Sequence, residues 1–392
     1  MGLQNYLRGN ISGYVMRFSS LFLLLAASSS AELQVISDVR LDDGLWKGIP
    51  TVDLENKTNL QICANETYWC ADAADAICQY FGFEGHMIIN LDEVPTEPES
   101  DEEYALCMVD RNITDSRLQL ACQITTKCEN LPTISCLLPG YEGCYNRTDD
   151  KPFFSDGVKS DLGDQLLDIQ TCAIACSDSP YLGLTNGQDC ICGSTLGDRS
   201  LVGDCDVGCE GDDLQQCGAD DGISVYSANV IGQCDGERVD LMPGQPHYIT
   251  SPKFPDDYEA DVNCTWVLGI DVDISHDLEI ILTYRFADDN ETRYLQISSA
   301  SDVLELSLQG SNGTEVLEKN PYNALQDNIT VSFTPPESGT GFVMKISLKP
   351  NPMYTTAPPV AMTTSKATRN ANMDNLAMSA VVGVIFVVFL LI

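Results

Sequence analysis

Positively charged residues are scarce in this chain of 392 residues: 21 Lys and Arg stand against 58 Asp and Glu, for a formal net charge of -37. Nucleic acids and anionic lipid surfaces repel such a protein, so the composition argues against both as partners. Hydrophobic residues make up 44% of the sequence, so cores can form and wholesale disorder is not expected. The length favours two or three domains.

Histidine is rarer still, with three residues, His86, His247 and His276. No paired-histidine metal motif, nucleophile elbow or glycine-rich phosphate loop accompanies them. Carboxylates are abundant, and a pair of them can cleave glycosidic bonds, yet no pattern in the sequence selects one pair. The sequence therefore predicts neither a cofactor nor an enzyme.

Long apolar runs are confined to the two ends of the chain. Near the start, Arg8 and Arg17 precede the apolar run 21–27, and the small residues 29–31 follow it. This order is typical of a cleaved signal peptide over residues 1–31, with a buried N-terminal helix as the alternative. We therefore expect the mature chain to lie outside the cell.

At the other end, residues 377–392 are almost uninterruptedly apolar, and no Lys or Arg follows Arg369. A membrane-spanning helix needs about 20 apolar residues and usually has a basic cytoplasmic flank. A glycosylphosphatidylinositol (GPI) attachment signal instead combines small residues, a polar spacer and an apolar tail. We expect such an anchor at Ser365, or at Asn370, with a single-pass helix as the alternative. The Pro- and Thr-rich stretch 349–376 predicts an extended stalk and spacer.

Sequons for N-glycosylation agree with an extracellular location. Each one alone is weak support, but any that carries a glycan must lie at the surface. Eight follow the signal segment, at Asn56, Asn65, Asn112, Asn146, Asn263, Asn290, Asn312 and Asn328.

The 17 cysteines are unevenly distributed, with seven in 63–136, eight in 144–217 and two beyond. In an oxidising compartment cysteines usually form disulfides, so the clusters mark separate disulfide-stapled domains. Zinc binding through the cysteines of 172–176 and 190–192 is the alternative, although structural zinc sites are commoner inside cells.

The first cluster belongs to a domain expected at residues 34–137. Apolar residues at helical spacing predict a helix over 70–81 that ends at Gly82, and 51–54 alternates as a strand. The segments Val39 to Gly44, Ile62-Cys63, Trp69 and Ala76 to Phe83 resemble a scavenger receptor cysteine-rich (SRCR) domain. That resemblance implies a curved sheet that cradles a helix, in a family that binds proteins, glycans or polyanions.

The SRCR resemblance also implies a disulfide pattern. It leaves Cys70 unpaired, either as a buried thiol or as the bridge of a disulfide-linked dimer. Positions at which many members bind a cation hold Ala64, Asn65 and Cys70 here, so no metal site is carried over. The implied pairs are Cys63 with Cys128, Cys78 with Cys136, and Cys107 with Cys122.

The second cluster lies in a domain expected at residues 140–230. Its segment 168–176 reads as a short helix with two cysteines on one face. Gly143 to Tyr145, Cys190 to Gly193 and Val225-Tyr226, with the cysteine spacing, resemble a WSC domain, a small disulfide-rich α+β module. The eight half-cystines are Cys144, Cys172, Cys176, Cys190, Cys192, Cys205, Cys209 and Cys217.

The WSC resemblance implies carbohydrate recognition, for which aromatic faces and a few polar groups are needed. Tyr145 and Tyr181 belong to the family frame and are most simply core residues. The Phe153-Phe154 pair stands in a polar loop, so a role at the surface and a place in the core are equally open for it. The ligand candidates are Phe153, Phe154, Tyr181, Asn186 and Asp189.

Residues 232–348 change in character, because short alternating segments there are separated by turn residues, as in a β-sandwich. The segments Tyr248 to Tyr258, Cys264 to Leu268 and Gly341-Phe342 resemble a CUB domain, whose family mostly binds other proteins. The expected strands are 278–284, 294–298, 303–308, 329–333 and 342–348.

The CUB resemblance implies one disulfide, between Cys234 and Cys264. The three acidic positions of calcium-binding members fall on Asp289, Leu295 and the neighbourhood of Pro336. Only one carboxylate is kept, so no calcium site is expected.

Together these features predict a multidomain, β-rich protein built from small disulfide-stapled α+β modules and a β-sandwich. The favoured function is a GPI-anchored recognition receptor or co-receptor at the cell surface that binds extracellular glycans, proteins or both. A lipid-anchored receptor needs a transmembrane partner to signal. The alternative is an adhesion or surface-coat protein that acts by homotypic contacts.

Overall fold

The computed structural model describes most of the chain between residues 34 and 351. The signal segment, the GPI attachment residues, the apolar tail and Cys70 all lie outside the described residues, as do Asn65, Asn112, Asn290 and Asp289. The described ranges are 34–64, 71–94, 102–110, 118, 120–147, 153–197, 205–234, 238–270, 276–286, 293–299, 305–309, 312–319 and 328–351.

The described part of the first region (34–139) holds one helix and eight strands in two antiparallel sheets, ordered β4-β3-β1-β7-β6 and β2-β8-β5. Helix α1 buries Ala73, Ala74, Ile77 and Cys78, and it ends before Gly82, whose φ of 93° lies in the left-handed region that glycine tolerates. The elements are β1 (Gln34–Leu41), β2 (Lys47–Gly48), β3 (Pro50–Leu54), β4 (Lys57–Gln61), α1 (Ala71–Tyr80), β5 (His86–Glu93), β6 (Tyr104–Val109), β7 (Leu120–Thr125) and β8 (Asn130–Cys136).

Among its described residues, the middle region (140–231) forms a five-stranded antiparallel sheet, ordered β10-β12-β11-β13-β9, with one short helix. Asp168 caps that helix, because its carboxylate accepts a hydrogen bond from Thr171 N at 2.6 Å. The elements are β9 (Tyr141–Asn146), β10 (Val158–Lys159), α2 (Ile169–Ala175), β11 (Tyr181–Thr185), β12 (Asp189–Gly193) and β13 (Gly222–Ser227).

The third region (238–351) is a β-sandwich. Its sheets, β14-β16-β21-β18-β19 and β15-β22-β17-β20, share one core, to which Val331 contributes from the first and Ile280 and Met344 from the second. The strands are β14 (Val239–Leu241), β15 (His247–Thr250), β16 (Cys264–Ile270), β17 (His276–Arg285), β18 (Arg293–Ser299), β19 (Glu305–Gln309), β20 (Asn312–Lys319), β21 (Ile329–Phe333) and β22 (Gly341–Pro350).

This architecture confirms the predicted fold class of β-rich modules held by disulfides. Each strand expected in 232–348 is present, while β14, β15, β16 and β20 were not among the strands expected from the sequence. Strand β20 was missed because Gly313, Glu315 and Glu318 interrupt its apolar alternation.

Eight disulfides join the 16 cysteines that the structure describes. In the middle region two of them connect α2 and its C-cap residue Cys176 to β12. The first region has the three pairs that the SRCR resemblance implies. The bridges are Cys63–Cys128, Cys78–Cys136, Cys107–Cys122, Cys144–Cys205, Cys172–Cys190, Cys176–Cys192, Cys209–Cys217 and Cys234–Cys264.

The sulfur atoms of Cys172, Cys176 and Cys190 lie within 4.8 Å of one another, a spacing compatible with a metal ion. All three belong to disulfides, and a disulfide sulfur is not the thiolate that zinc requires. The zinc alternative considered for these cysteines is therefore wrong.

Each of the three regions contacts the other two. Lys47 Nζ of the first region lies 2.9 Å from Asp212 Oδ2 of the middle region. The buried hydroxyl of Thr283 in the third region donates to Phe81 O of the first at 2.9 Å. The amide of Gln170, oriented to satisfy its hydrogen bonds, donates to Phe254 O at 2.7 Å and so joins the middle region to the third.

The described helices are short, α1 with 10 residues and α2 with 7. Neither is long and apolar enough to cross a membrane.

Candidate functional site

Phe153 and Phe154 are core residues, with only 5% and 2% of their surface exposed. Phe153 stacks on Tyr145 at a ring-centroid distance of 4.6 Å, and Phe154 meets Phe153 edge-on at 5.3 Å. Ile223 and Val225 of β13 complete this cluster. The surface role considered for the pair is wrong, because both rings are buried in this apolar cluster.

The other three ligand candidates do not form one site. Tyr181 pairs with Gly193, at the opposite end of the β11–β12 hairpin from the pair of Thr185 with Asp189. Four residues of strand separate these ends by about 13 Å. Tyr181 is half-buried against the Phe153 cluster.

At the far end of that hairpin, Asn186 is exposed, in a left-handed turn with a φ of 58°. Asp189 is 2.5 Å from Lys159 Nζ, so its carboxylate is already paired. These two polar residues therefore lack the aromatic platform that the carbohydrate hypothesis requires of them.

A different site is formed where the three regions meet. We call it the junction cleft, a cavity of about 380 Å³. This volume lies within the range of small-ligand sites. Its lining residues are Glu84, Leu137, Leu138, Pro139, Gly140, Tyr141, Glu142, Tyr145, Ser227, Val230, Pro246, His247 and Tyr248.

Three tyrosines supply the aromatic part of the junction cleft. Tyr141 packs against the buried Tyr226 ring at a centroid distance of 5.1 Å, and Tyr145 OH donates to Glu142 O at 2.5 Å. Burial raises the pKa of Tyr141 to about 12, and the neighbouring Tyr145 adds to the shift. The Tyr141 hydroxyl therefore stays protonated at neutral pH and can donate a hydrogen bond.

The charge of the cleft comes from Glu84 and Glu142, and its lining residues include no Lys or Arg. Burial lowers the pKa of His247, so this imidazole is neutral at pH 7. Burial and the Glu84 carboxylate raise the pKa of Tyr248 well above its ordinary value, so Tyr248 also stays neutral. The cleft thus combines apolar and aromatic walls with carboxylates.

A neighbouring cavity of about 630 Å³ shares Glu84 and Pro246 with the junction cleft. Its walls carry Lys345, whose Nζ lies 5.6 Å from the Tyr248 ring centroid, and Lys349, which is paired with Glu279 at 2.5 Å. The lining of this second cavity also includes Glu279, so its two lysines stand with two carboxylates and it has no excess of positive charge.

Sequence reasoning missed the junction cleft. Glu84 follows α1, Tyr141 begins β9 and Tyr248 lies in β15, so no local motif connects them. Only the packing of the three regions brings them together. From the sequence of a single strand, a half-buried tyrosine that lines a cleft cannot be distinguished from a tyrosine in the core.

Comparison with known proteins defines one domain. Residues 141–219 match the family model of the WSC domain, which confirms the resemblance found in the sequence. Mouse Kremen protein 2 is 32% identical over 185 residues, which are 45% of this chain and 35% of that protein. Xenopus laevis Kremen protein 1 is 31% identical over 142 residues, 35% of this chain and 30% of its own. The chain spans about a third of the length of these relatives.

Solved structures show a weaker similarity. The CUB2 domain of MASP-1 bound to Ca2+ is 17% identical, with 29% of this chain and 99% of that chain covered and a TM-score of 0.23. The CUB1-EGF-CUB2 domain of human MASP-1/3 is 9% identical, with 67% and 100% covered and a TM-score of 0.24. Similarity at this level does not define the fold of the third region, which rests on its own two sheets.

Proposed function

We propose that this protein is an extracellular, membrane-anchored recognition receptor or co-receptor that holds a carbohydrate or protein ligand in the junction cleft. The observation that carries this proposal is the convergence of Tyr141, Tyr248 and Glu84 from three regions on one cavity. Aromatic rings pack on sugar C–H groups or aliphatic side chains, and carboxylates accept hydrogen bonds from hydroxyl or amino groups. A binding role requires no catalytic group, and we assign none.

Two observations support the extracellular location. The first is the set of eight disulfides, which persist in oxidising compartments. The second is that each sequon asparagine in the described chain is exposed: Asn56, Asn146, Asn263, Asn312 and Asn328. We propose that these five and Asn65, Asn112 and Asn290 carry glycans, and that Ser365 or Asn370 carries a GPI anchor.

We also propose an organisation into an SRCR-like domain (34–137), the WSC-like domain (140–230) and a CUB-like domain (232–348). Helix α1 on two sheets with three bridges supports the first domain. A two-sheet sandwich with the Cys234–Cys264 bridge supports the third. In this arrangement the ligand contacts all three domains, so recognition depends on their packing.

A screen of the purified protein on glycan and protein arrays tests the function. A receptor binds soluble or foreign ligands on such arrays, whereas an adhesion protein aggregates the cells that express it. The proposal predicts array binding without aggregation. Aggregation without any array ligand would favour the homotypic alternative, and release of cleaved sugars from labelled glycans would contradict a binding role.

A further inference from the structure

A second inter-region cavity, of about 460 Å³, lies between the first and third regions. Its floor includes the buried side chains of Leu41, Leu45, Phe81 and Tyr284. Its volume falls in the range of sites that hold small ligands. We call it the seam cavity, since it follows the contact between β1 and β4 on one side and β17 and β20 on the other.

The polar groups of the seam cavity are largely paired within the protein. Arg40 bonds Asp53 at 2.7 Å, Glu103 bonds Lys57 at 2.6 Å, and Tyr104 OH donates to Glu102 at 3.0 Å. A charged ligand would have to compete with these pairs. A neutral ligand rich in hydroxyl and amide groups can instead use their remaining lone pairs and hydrogens. This chemistry fits a sugar.

The sequon Asn312-Gly313-Thr314 lies in the wall of the seam cavity, which all three residues line. Asn312 is exposed and stands opposite Arg285, which donates to Asp42 O of the first region at 3.4 Å. Gly313 lies over Tyr284, because a Cβ there would be 3.4 Å from the Tyr284 hydroxyl. A glycan on Asn312 therefore begins at the contact between the two regions.

We propose that an N-linked glycan on Asn312 occupies the seam cavity and bridges the first and third regions. The N-acetylglucosamine residues that begin such a glycan offer the hydroxyl and amide groups that the walls can bond. Their apolar faces can pack on the aromatic floor. The other described sequon asparagines, Asn56, Asn146, Asn263 and Asn328, are exposed but do not line this cavity. Glycans there extend into solvent.

Site-resolved deglycosylation of the full-length protein tests this proposal, with Asn263 as the internal control. Under native conditions, an amidase that removes N-glycans should release the Asn312 glycan at least about tenfold more slowly than the Asn263 glycan, because the cavity must open first. After reduction and denaturation the two should be released at equal rates. An unmodified Asn312, or equal native rates, would overturn the proposal.

Hydrogen exchange gives a second readout that requires no external ligand. In Asn312→Gln, the amides of β1 and β4 should exchange faster than in the wild type, since the bridge to the third region is lost. The matched variant Asn263→Gln should leave these amides unchanged. Identical exchange in the Asn312→Gln and wild-type proteins would contradict a bridging glycan.

Discussion

Lys47 Nζ lies 2.9 Å from Asp212 Oδ2, and this ion pair joins the first region to the middle region. The side chains are only 24% and 14% exposed, and Lys47 Nζ also stands 5.2 Å from the centroid of the Trp46 ring. Asp212 further accepts hydrogen bonds from Leu214 N and from the Gln215 side chain, both at 3.1 Å. One carboxylate thus organises both a local turn and an inter-region contact.

Replacement of Lys47 should weaken the contact between the first region and the middle region. We expect Lys47→Met to lower the free energy of unfolding by about 1–2 kcal/mol, because it leaves a mostly buried carboxylate without its cation. The matched variant Lys159→Met removes the partner of Asp189, but Lys159 is 64% exposed, so the loss should stay within about 0.5 kcal/mol. Denaturant unfolding measures both, and equal losses would contradict the anchoring role of Lys47.

A second prediction follows from the burial of Phe154. Phe154→Ala should cost about 3–5 kcal/mol through a cavity in the Phe153 cluster, enough to reduce secretion sharply. Val158→Ala, four residues away, changes a side chain of a residue that is 66% exposed and should be close to neutral. Secreted yield and thermal unfolding report the difference. A stable Phe154→Ala protein that had lost only ligand binding would restore the surface role.

The disulfides of the middle region should be essential for export. Cys172→Ser or Cys190→Ser removes a bridge between α2 and β12 in a region with a small core, and each such bridge contributes about 2–4 kcal/mol. Cys234→Ser with Cys264→Ser should be better tolerated, because the sandwich of the third region has a large core of its own. Secretion assays compare the two. Normal export of the middle-region variants would contradict this prediction.

Asp256 lies close to the contact between the middle and third regions. Partial burial, followed by the charges of Asp168, Asp257 and Asp212, raises its pKa above 3.8. A raised carboxyl pKa means that the folded state disfavours the ionised form. The protein therefore loses stability from this group as the pH rises through its folded-state pKa.

Asp256→Asn should consequently stabilise the protein at neutral pH. Because the residue remains exposed to solvent, the gain should be on the order of 0.5 kcal/mol or less. The gain should vanish as the pH falls below 3.8, where the wild-type carboxyl is protonated as well. Unfolding curves across this range measure it, with the exposed Asp178→Asn as control. A destabilised Asp256→Asn at neutral pH would show that the sign is wrong.

The proposed anchor makes the fifth prediction. Phosphatidylinositol-specific phospholipase C should release the protein from intact cells, since a GPI anchor is cleaved by this enzyme. A known GPI-anchored protein on the same cells controls for enzyme activity. Retention of the protein, together with peptides from 377–392 in the mature chain, would favour a spanning helix.

Local patterns predicted much of this architecture. The spacing of Ala74, Ile77 and Cys78 indicated α1, and the segment 168–176, with two cysteines four residues apart, indicated α2, because both patterns depend on neighbouring residues alone. The burial of Phe153 and Phe154 was not predicted, because polar neighbours in the sequence do not determine whether the side chains of a loop point to the core or to solvent. The junction cleft was beyond prediction, because only the packing of the three regions places Tyr141 and Tyr248, more than a hundred residues apart in the sequence, in the lining of one cavity.

Binding by a variant of the junction cleft tests the central claim most directly. Array profiles should be measured for the wild type, for Glu84→Lys, which reverses a charge in the cleft, and for Glu55→Lys, an exposed residue that does not line it. We predict that the affinity for ligands bound by the wild type falls by at least about tenfold in Glu84→Lys and is unchanged in Glu55→Lys. Equal binding by all three proteins would contradict it.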